Sequence, residues 1–503
     1  MNLSKLLAGV TVTKMFQTMY GKMVVTHEVE VRTVQYDSRK VERGDLFVAI
    51  RGTQSDGHRF ITSAVHNGAK VVVMDDDAAM PDSYFMHAGV IKVVVPDTRV
   101  ALAQISARYY GEPSERLSVV GVTGTNGKTT TTHLITALVE RQGGKAGLVG
   151  TIEYRIGDEV FPSTHTTPES LELNALLSRM VAAGCTTAVM EVSSHALHQQ
   201  RVRGIGFTVG VFTNLTQDHL DYHGTMESYF EAKSVLFRSL GESSWAVINA
   251  DDPWGPKLVP LTKAKVLTFG MSPSADVAAE EVALSMRGTT CVIRHGKEAI
   301  SISTPLVGKF NVSNILAAVG AGIALGVPKP ALQAAMNAAR PVRGRFEPVV
   351  APAGWTAVID YAHTPDALEK ALQAVHDVFA ASERGRIITV FGCGGNRDAT
   401  KRPKMAAVAT ALSDLTIVTS DNPRKEDPET IIAQVLAGVA PGAAVEKVTD
   451  RREAILRALR QARPGDVVLV AGKGHEDYQV IGEEKIHFSD KEIVQEFLGG
   501  PQA

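Results

Sequence analysis

The run Gly121-Val122-Thr123-Gly124-Thr125-Asn126-Gly127-Lys128-Thr129-Thr130 carries the densest chemistry in the chain. Small residues let successive backbone N–H groups converge on phosphate oxygens, and a helix opening at this point adds the positive end of its dipole. Gly124, Thr125, Asn126, Gly127, Lys128, Thr129 and Thr130 are therefore candidates for holding ATP. Lys128 would reach the terminal phosphates, and the Thr129 hydroxyl would ligate Mg²⁺. The general phosphate-loop pattern places glycine six positions before the lysine. Here Val122 stands at that position, and the glycines fall at 121, 124 and 127.

Other polar residues follow apolar runs. Glu191 ends the run from Thr187, a position from which a carboxylate can meet a loop-bound magnesium or form a buried ion pair. His219 lies in Asn214-Leu215-Thr216-Gln217-Asp218-His219, beyond the next apolar run. By itself it reads equally as a satisfied loop histidine. Lys233, within the apolar-periodic stretch Tyr229–Phe237, reads by itself as an exposed helix cation. Toward the C-terminus come Gly394-Gly395-Asn396-Arg397-Asp398, then Asp421-Asn422-Pro423-Arg424, then Gly472-Lys473-Gly474-His475-Glu476. Arginine's fork suits two-point capture of a carboxylate better than lysine does. The glycines at 392, 394 and 395 do not complete a dinucleotide fingerprint, because Arg397 stands where the last glycine belongs.

Strand-like runs must position these groups. Residues 44–50 and 69–74 read as strands with a helix over 60–67 between them. Residues 117–122, 186–192 and 209–214 are continuous apolar runs, as expected of strands buried on both faces. Residues 356–360, 386–391, 415–419 and 466–470 repeat a strand–loop–helix rhythm. This predicts an α/β protein with mainly parallel sheets and ligand sites beyond the strand carboxyl ends. Breaker residues at Gly111-Glu112-Pro113-Ser114 and from Ala339 to Arg345 predict three domains, 1–112, 113–340 and 341–503. The third is expected to be Rossmann-like. The 503 residues suit that count.

Lys plus Arg, 52, nearly balances Asp plus Glu, 54, so no global field argues for nucleic acid or a membrane. No signal segment or membrane span is read. Cys185, Cys291 and Cys393 are odd in number and far apart, which fits a reducing compartment, the cytoplasm. A monomer acting on small molecules is expected.

The variant Gly-Thr-Asn-Gly-Lys-Thr resembles the Mur ligases and their folylpolyglutamate synthetase relatives, which join an amine to a carboxylate at the expense of ATP. The resemblance extends along the whole chain. It implies that His219 binds a second magnesium. It also implies that Lys233 is N6-carboxylated, which gives a metal set of Thr129, Glu191, His219 and Lys233. Lys128, Glu191, His219 and Lys233 would be the catalytic groups. Asp37-Ser38-Arg39, with the stretches after it, resembles the family's UDP-binding N-terminal domain. By the same resemblance Ser38, Thr166, Thr167, Ser193, Gln199, Arg201 and Lys233 would hold a UDP-N-acetylmuramoyl dipeptide. Asn311 and Asn314 would contact adenine, and Arg345, Asp360 and His363 would reach ATP from the third domain.

Asp421-Asn422-Pro423-Arg424 resembles the diaminopimelate-adding branch. There Arg424, Asn422, Arg397 and Gly472 would clasp a carboxylate of meso-diaminopimelate, while Asp421 and Glu476 would accept from its distal ammonium. The implied activity is ATP-dependent addition of meso-diaminopimelate to the D-glutamate γ-carboxylate through an acyl phosphate. Two other readings stay open: a lysine-adding ligase, and a regulatory ATPase using the phosphate loop as a switch.

Overall fold

The computed structural model describes residues 1–19, 22–23, 25–52, 55–379 and 385–499. Three α/β domains follow one another, each built on its own sheet. In the first, Val34–Gln35, Leu46–Val48, Val71–Met74 and Ile91–Val94 run parallel, and Lys14–Phe16 pairs antiparallel with the last of them. Every side chain of Val71–Met74 is buried, as a run of β-branched residues covered on both faces requires. The helix expected over 60–67 is Ile61–His66, preceded by a 3₁₀ turn at Gly57–Phe60 that Asp56 caps.

The second domain has eleven strands. Its parallel centre runs Ala146–Val149, Thr187–Glu191, Ser118–Thr123, Phe207–Phe212, Trp245–Asn249 and Lys265–Gly270 in spatial order. Helices Lys128–Arg141 and Lys309–Ala324 bury Leu134, Leu138, Ile315 and Val319 against one face. Helices Ser170–Ala182 and Met226–Arg238 bury Leu173, Leu177, Phe230 and Phe237 against the other. Because Thr187–Glu191 and Phe207–Phe212 both flank Ser118–Thr123, their carboxyl ends deliver Glu191, the phosphate loop and residues 213–219 to one place. The antiparallel edges are absent from the sequence expectations. They are a hairpin, Glu153–Ile156 with Glu159–Pro162, and a meander of Val277–Ser285, Gly288–His295 and Glu298–Thr304.

In the third domain Thr356–Asp360, Val467–Ala471, Ile387–Cys393, Leu415–Ser420 and Val445–Lys447 are parallel neighbours in that order. Glu347–Val350 is antiparallel at the edge. The four longer parallel strands end side by side, so the loops after Asp360, Cys393, Ser420 and Ala471 open on one rim.

The first and second domains meet where helix Thr98–Tyr109 packs on Ser170–Ala182 and Leu171 enters the first domain's core. There Tyr36 donates to Glu172 at 2.9 Å. The three cysteines are buried and unpaired. Among the described residues no helix is long and apolar enough to cross a membrane.

Candidate active site

The phosphate loop turns in a space that admits no side chain at two points. Gly124 has φ +151° and Gly127 has φ +85°. A Cβ at Gly124 would lie 1.9 Å from Thr213 Oγ1, and one at Gly127 2.3 Å from Asn314 Oδ1. The loop is braced by the neighbouring strand's exit. Thr125 N donates to Asn214 O and Asn126 N to Asn214 Oδ1, both at 2.9 Å, and Thr213 Oγ1 donates to Asn126 O at 2.6 Å. Helix Lys128–Arg141 starts directly after Gly127, so its free N–H groups face the loop's concavity.

Two lysines converge on one carbonyl. Lys128 Nζ donates to Gly124 O at 3.0 Å and Thr125 O at 2.8 Å, and Lys233 Nζ donates to Gly124 O at 2.8 Å. Lys233 is 1% exposed and lies over the Tyr229 ring, which rules out an exposed helix cation. Burial, then the charge of Lys128, pushes its amine well below the ordinary lysine range. Burial also lowers Lys128.

Glu191 is fully buried, and its two oxygens accept from Thr151 N at 2.8 Å and Thr151 Oγ1 at 3.0 Å. From there a chain of hydrogen bonds reaches the residues expected to hold the acceptor. Thr151 Oγ1 meets Thr166 Oγ1 at 3.0 Å, and Thr167 Oγ1 donates to Glu191 O at 2.8 Å and accepts from Ser193 N at 3.1 Å. Arg201 donates to Thr167 O and to Gln199, whose amide donates to Tyr222. Ser38 lies apart in the first domain, in the 3₁₀ turn Ser38–Lys40.

A cavity of about 520 Å³ is lined by the phosphate loop, Glu191, His219 and Asn314, and across from them by Arg345, Asp360 and His363 of the third domain. Asn311 is buried behind Asn314, accepting its amide at 3.0 Å, and does not line the cavity. Arg345 reaches Thr129 Oγ1 at 3.4 Å and stacks on Tyr361, while its Nε is buried with no hydrogen-bond partner among the described residues. Burial raises the Asp360 carboxyl and lowers His363. Asp366, which the sequence reading missed, bridges the domains by accepting from Asn126 Nδ2 at 2.9 Å and Thr216 Oγ1 at 2.8 Å. The one available signal was a carboxylate in the first turn of a helix opened by proline. Thr151 had no signal, since it meets Glu191 only through sheet pairing.

The cavity fits ATP and magnesium. The Thr129 hydroxyl and Glu191 carboxylate are hard oxygen donors facing one space with Lys128. Magnesium commonly takes one or two carboxylates and leaves the rest to phosphate oxygens and water. Among the described residues no three His, Cys, Asp or Glu side chains converge as an all-protein cage. A larger cleft, about 710 Å³, lies beside linker residues 338–343 and holds none of the phosphate loop.

On the third domain's rim the three C-terminal runs meet. Arg424, at φ 51°, donates from Nη1 to Gly395 O at 2.8 Å and is half-buried. Asn422 donates to Glu476 Oε2 at 2.9 Å, and Asp421 Oδ1 accepts from Asn422 N at 2.6 Å. A Cβ at Gly472 would lie 2.8 Å from Asp421 Oδ2. Pro423 is buried; Arg397 is exposed, near Gly394. Gly472 N donates to Asp360 O at 3.0 Å, and His475 packs on Tyr361, so this cluster shares a wall with the nucleotide cavity.

Fold and site together define a three-domain, nucleotide-dependent enzyme whose second and third domains close on one phosphate cavity. The chain belongs to the Mur ligase family: the Mur ligase middle domain matches residues 122–322, the Mur ligase glutamate ligase domain 344–474, and the Mur ligase family catalytic domain 30–110. It is 48% identical over 474 residues to a UDP-N-acetylmuramoyl-L-alanyl-D-glutamate–2,6-diaminopimelate ligase of Gloeobacter violaceus, covering 94% of each chain. A relative of the same name from Geobacter metallireducens is 46% identical, with 93% and 94% covered. A solved structure of a ligase with that name matches at a TM-score of 0.69 and 31% identity over 99% of both chains. The Thermotoga maritima MurF ligase in complex with ADP shares the fold, at a TM-score of 0.60 and 21% identity over 88% of this chain and 94% of that one.

Proposed function

We infer that the chain adds meso-2,6-diaminopimelate to the D-glutamate γ-carboxylate of UDP-N-acetylmuramoyl-L-alanyl-D-glutamate, with ATP converted to ADP and phosphate. This is a cytoplasmic step in making peptidoglycan precursors, carried out by domains 1–112, 113–340 and 341–503. The observation that carries the amino-acid assignment is Arg424. Its guanidinium is half-buried against Gly394 and Gly395, close to Asn422, and among the described residues it has no carboxylate partner. A charge so placed needs an anion. Diaminopimelate brings a second carboxylate and lysine does not.

A carboxylate does not react with an amine at useful rates, because its oxygen is a poor leaving group. The γ-carboxylate would attack the ATP γ-phosphorus, forming an acyl phosphate as the bond to ADP breaks. The neutral amine would then add to the acyl carbon, and the tetrahedral species would collapse to the amide with loss of phosphate and a proton. Lys128, the helix N-terminus and Arg345 would offset charge on the transferring phosphoryl group. Thr129 and Glu191, with His219 and an N6-carboxylated Lys233, would hold magnesium, which supplies further charge stabilisation. The buried, pKa-lowered Lys233 amine supports carboxylation, since only the uncharged amine adds to CO₂. Thr166, Thr167, Ser193, Gln199 and Arg201 would orient the acceptor peptide. The run of hydrogen bonds that ties them to Glu191 would keep its carboxylate in register with the phosphates.

The test is ADP release with acceptor and ATP, offered diaminopimelate, lysine or no amine. Release is expected only with acceptor and amine together and strongly in favour of diaminopimelate. Turnover without an amine would make the protein a regulatory ATPase. Arg424→Lys keeps the charge but loses the fork, and should lower kcat/KM for diaminopimelate about 10- to 100-fold. An unchanged preference between the two diamino acids would sink the substrate assignment.

A further inference from the structure

The amino-acid cluster holds one buried charge that neither clasps diaminopimelate nor meets ATP. Lys473, in the loop after Val467–Ala471, has no exposed surface. Taking an ammonium out of water is costly unless charge and hydrogen bonds replace the water. Its Nζ donates to Asn422 Oδ1 at 3.2 Å and to Glu476 Oε2 at 3.1 Å. Asn422 Nδ2 donates to that same Glu476 oxygen at 2.9 Å. The amide cannot be turned over, because Asn422 Oδ1 also accepts from Val480 N at 2.9 Å. Glu476 Oε2 is therefore held twice. Among the described residues nothing donates to Oε1, which is left for an incoming ammonium.

Lys473 also sets the charge of the pocket. Arg451 and Asp490 are both fully buried and paired with each other at 2.7 and 2.8 Å, so they cancel. Arg397 is exposed, so water screens its charge. The buried and half-buried charges that remain are Arg424 and Lys473 against Asp421 and Glu476, a neutral set with its charges separated. The distal end of diaminopimelate carries an ammonium and a carboxylate on one carbon and is likewise neutral. The side chain of lysine ends in an ammonium alone. Without Lys473 the pocket would hold one excess negative charge, which suits a lone cation better than a zwitterion. Resting on the diaminopimelate reading, we propose that Lys473 is a positioning and specificity-determining residue: it aims the free oxygen of Glu476 and balances the site for a zwitterion.

The experiment compares diaminopimelate with L-lysine in ADP release by the full-length enzyme, using wild type, Lys473→Met, Glu476→Gln and the double variant. Lys473→Met is expected to lower the diaminopimelate-to-lysine ratio of kcat/KM about 10- to 100-fold with the KM for ATP unchanged. The double variant restores neutrality, so its ratio should recover toward wild type. An unchanged ratio in Lys473→Met, or a double variant whose ratio stays as low as that of Lys473→Met, would overturn the proposal. Should Lys473→Met fail to fold, Glu476→Gln decides. It leaves an excess positive charge and must raise the ratio, and a lowered ratio overturns the proposal. A wild type that itself prefers lysine would instead defeat the substrate reading beneath it.

Discussion

Lys233 and His475 show how much a single side chain's surroundings decide. Lys233 shares the Gly124 carbonyl with Lys128 and forms no ion pair with a carboxylate among the described residues, Asp218 acting on it only at longer range. As an ammonium it would be an unpaired charge in a buried site; as a carbamate it would be an anion facing two cations' worth of phosphate-binding apparatus. Lys233→Ala is therefore expected to cut turnover by about 100-fold or more. Formate or acetate should restore part of it by occupying the vacated oxygen positions. Full activity in the variant, or a variant that short carboxylates do not rescue together with a wild type indifferent to CO₂, would reject carboxylation. His475 makes a pH prediction. Burial, with Arg345 and Arg343 nearby, lowers its imidazole from the ordinary 6.5 to about 3. The unfolded chain binds that proton below about 6.5 and the folded protein does not, so folding loses stability as pH falls from 6.5 toward 3. In His475→Gln the drop in thermal midpoint between pH 7 and pH 4.5 should be smaller than in wild type. An equal drop would assign the acid sensitivity to other groups.

At the scale of elements, the parallel centre was legible because its strands are continuous apolar runs. Residues 117–122, 186–192 and 356–360 appear as Ser118–Thr123, Thr187–Glu191 and Thr356–Asp360. The edge strands were not. Glu298–Thr304 alternates exposed and buried positions, and Glu159–Pro162 is largely exposed, so neither has the continuous hydrophobicity used to find the centre. The phosphate loop was legible despite its shifted glycine, since Gly124 and Gly127 are the positions where the backbone turns with φ positive. That geometry makes a prediction for the strand–loop–helix unit. Gly127→Ala must strain the backbone and push against Asn314 Oδ1, costing about 1–3 kcal/mol locally. ADP affinity measured by calorimetry should fall about 10- to 100-fold, with the thermal transition of the variant still cooperative. Wild-type affinity would show that the loop relaxes and that Gly127 is not required by its shape.

The whole molecule adds what no local pattern could announce, namely which domain touches which. Asp366 reads in the sequence as an ordinary acid near a helix start, and Lys473 as one more loop lysine. Only the docking of the third domain places the first against Asn126 and Thr216, and only the strand order places the second under Asn422. Asp366 accepts from Asn126, Thr216 and, within its own helix, Lys370 at 3.0 Å. Two of the three partners belong to the phosphate-binding domain, so this carboxylate gains them only when the domains are together. Arg345 crosses the same seam to Thr129. If ATP favours the docked arrangement, linkage requires docking to favour ATP by the same factor. Removing the bridge should therefore weaken ATP binding without touching the nucleotide. Asp366→Ala is expected to raise the KM for ATP about tenfold, since hydrogen bonds to a charged group contribute about 1.5–3 kcal/mol and solvent access discounts them. The KM for diaminopimelate at saturating ATP should move less, because the amino-acid cluster lies wholly within the third domain. A carboxylate that merely started its own helix would behave differently: Asp366→Ala would then lower the thermal midpoint while leaving the KM for ATP where it was.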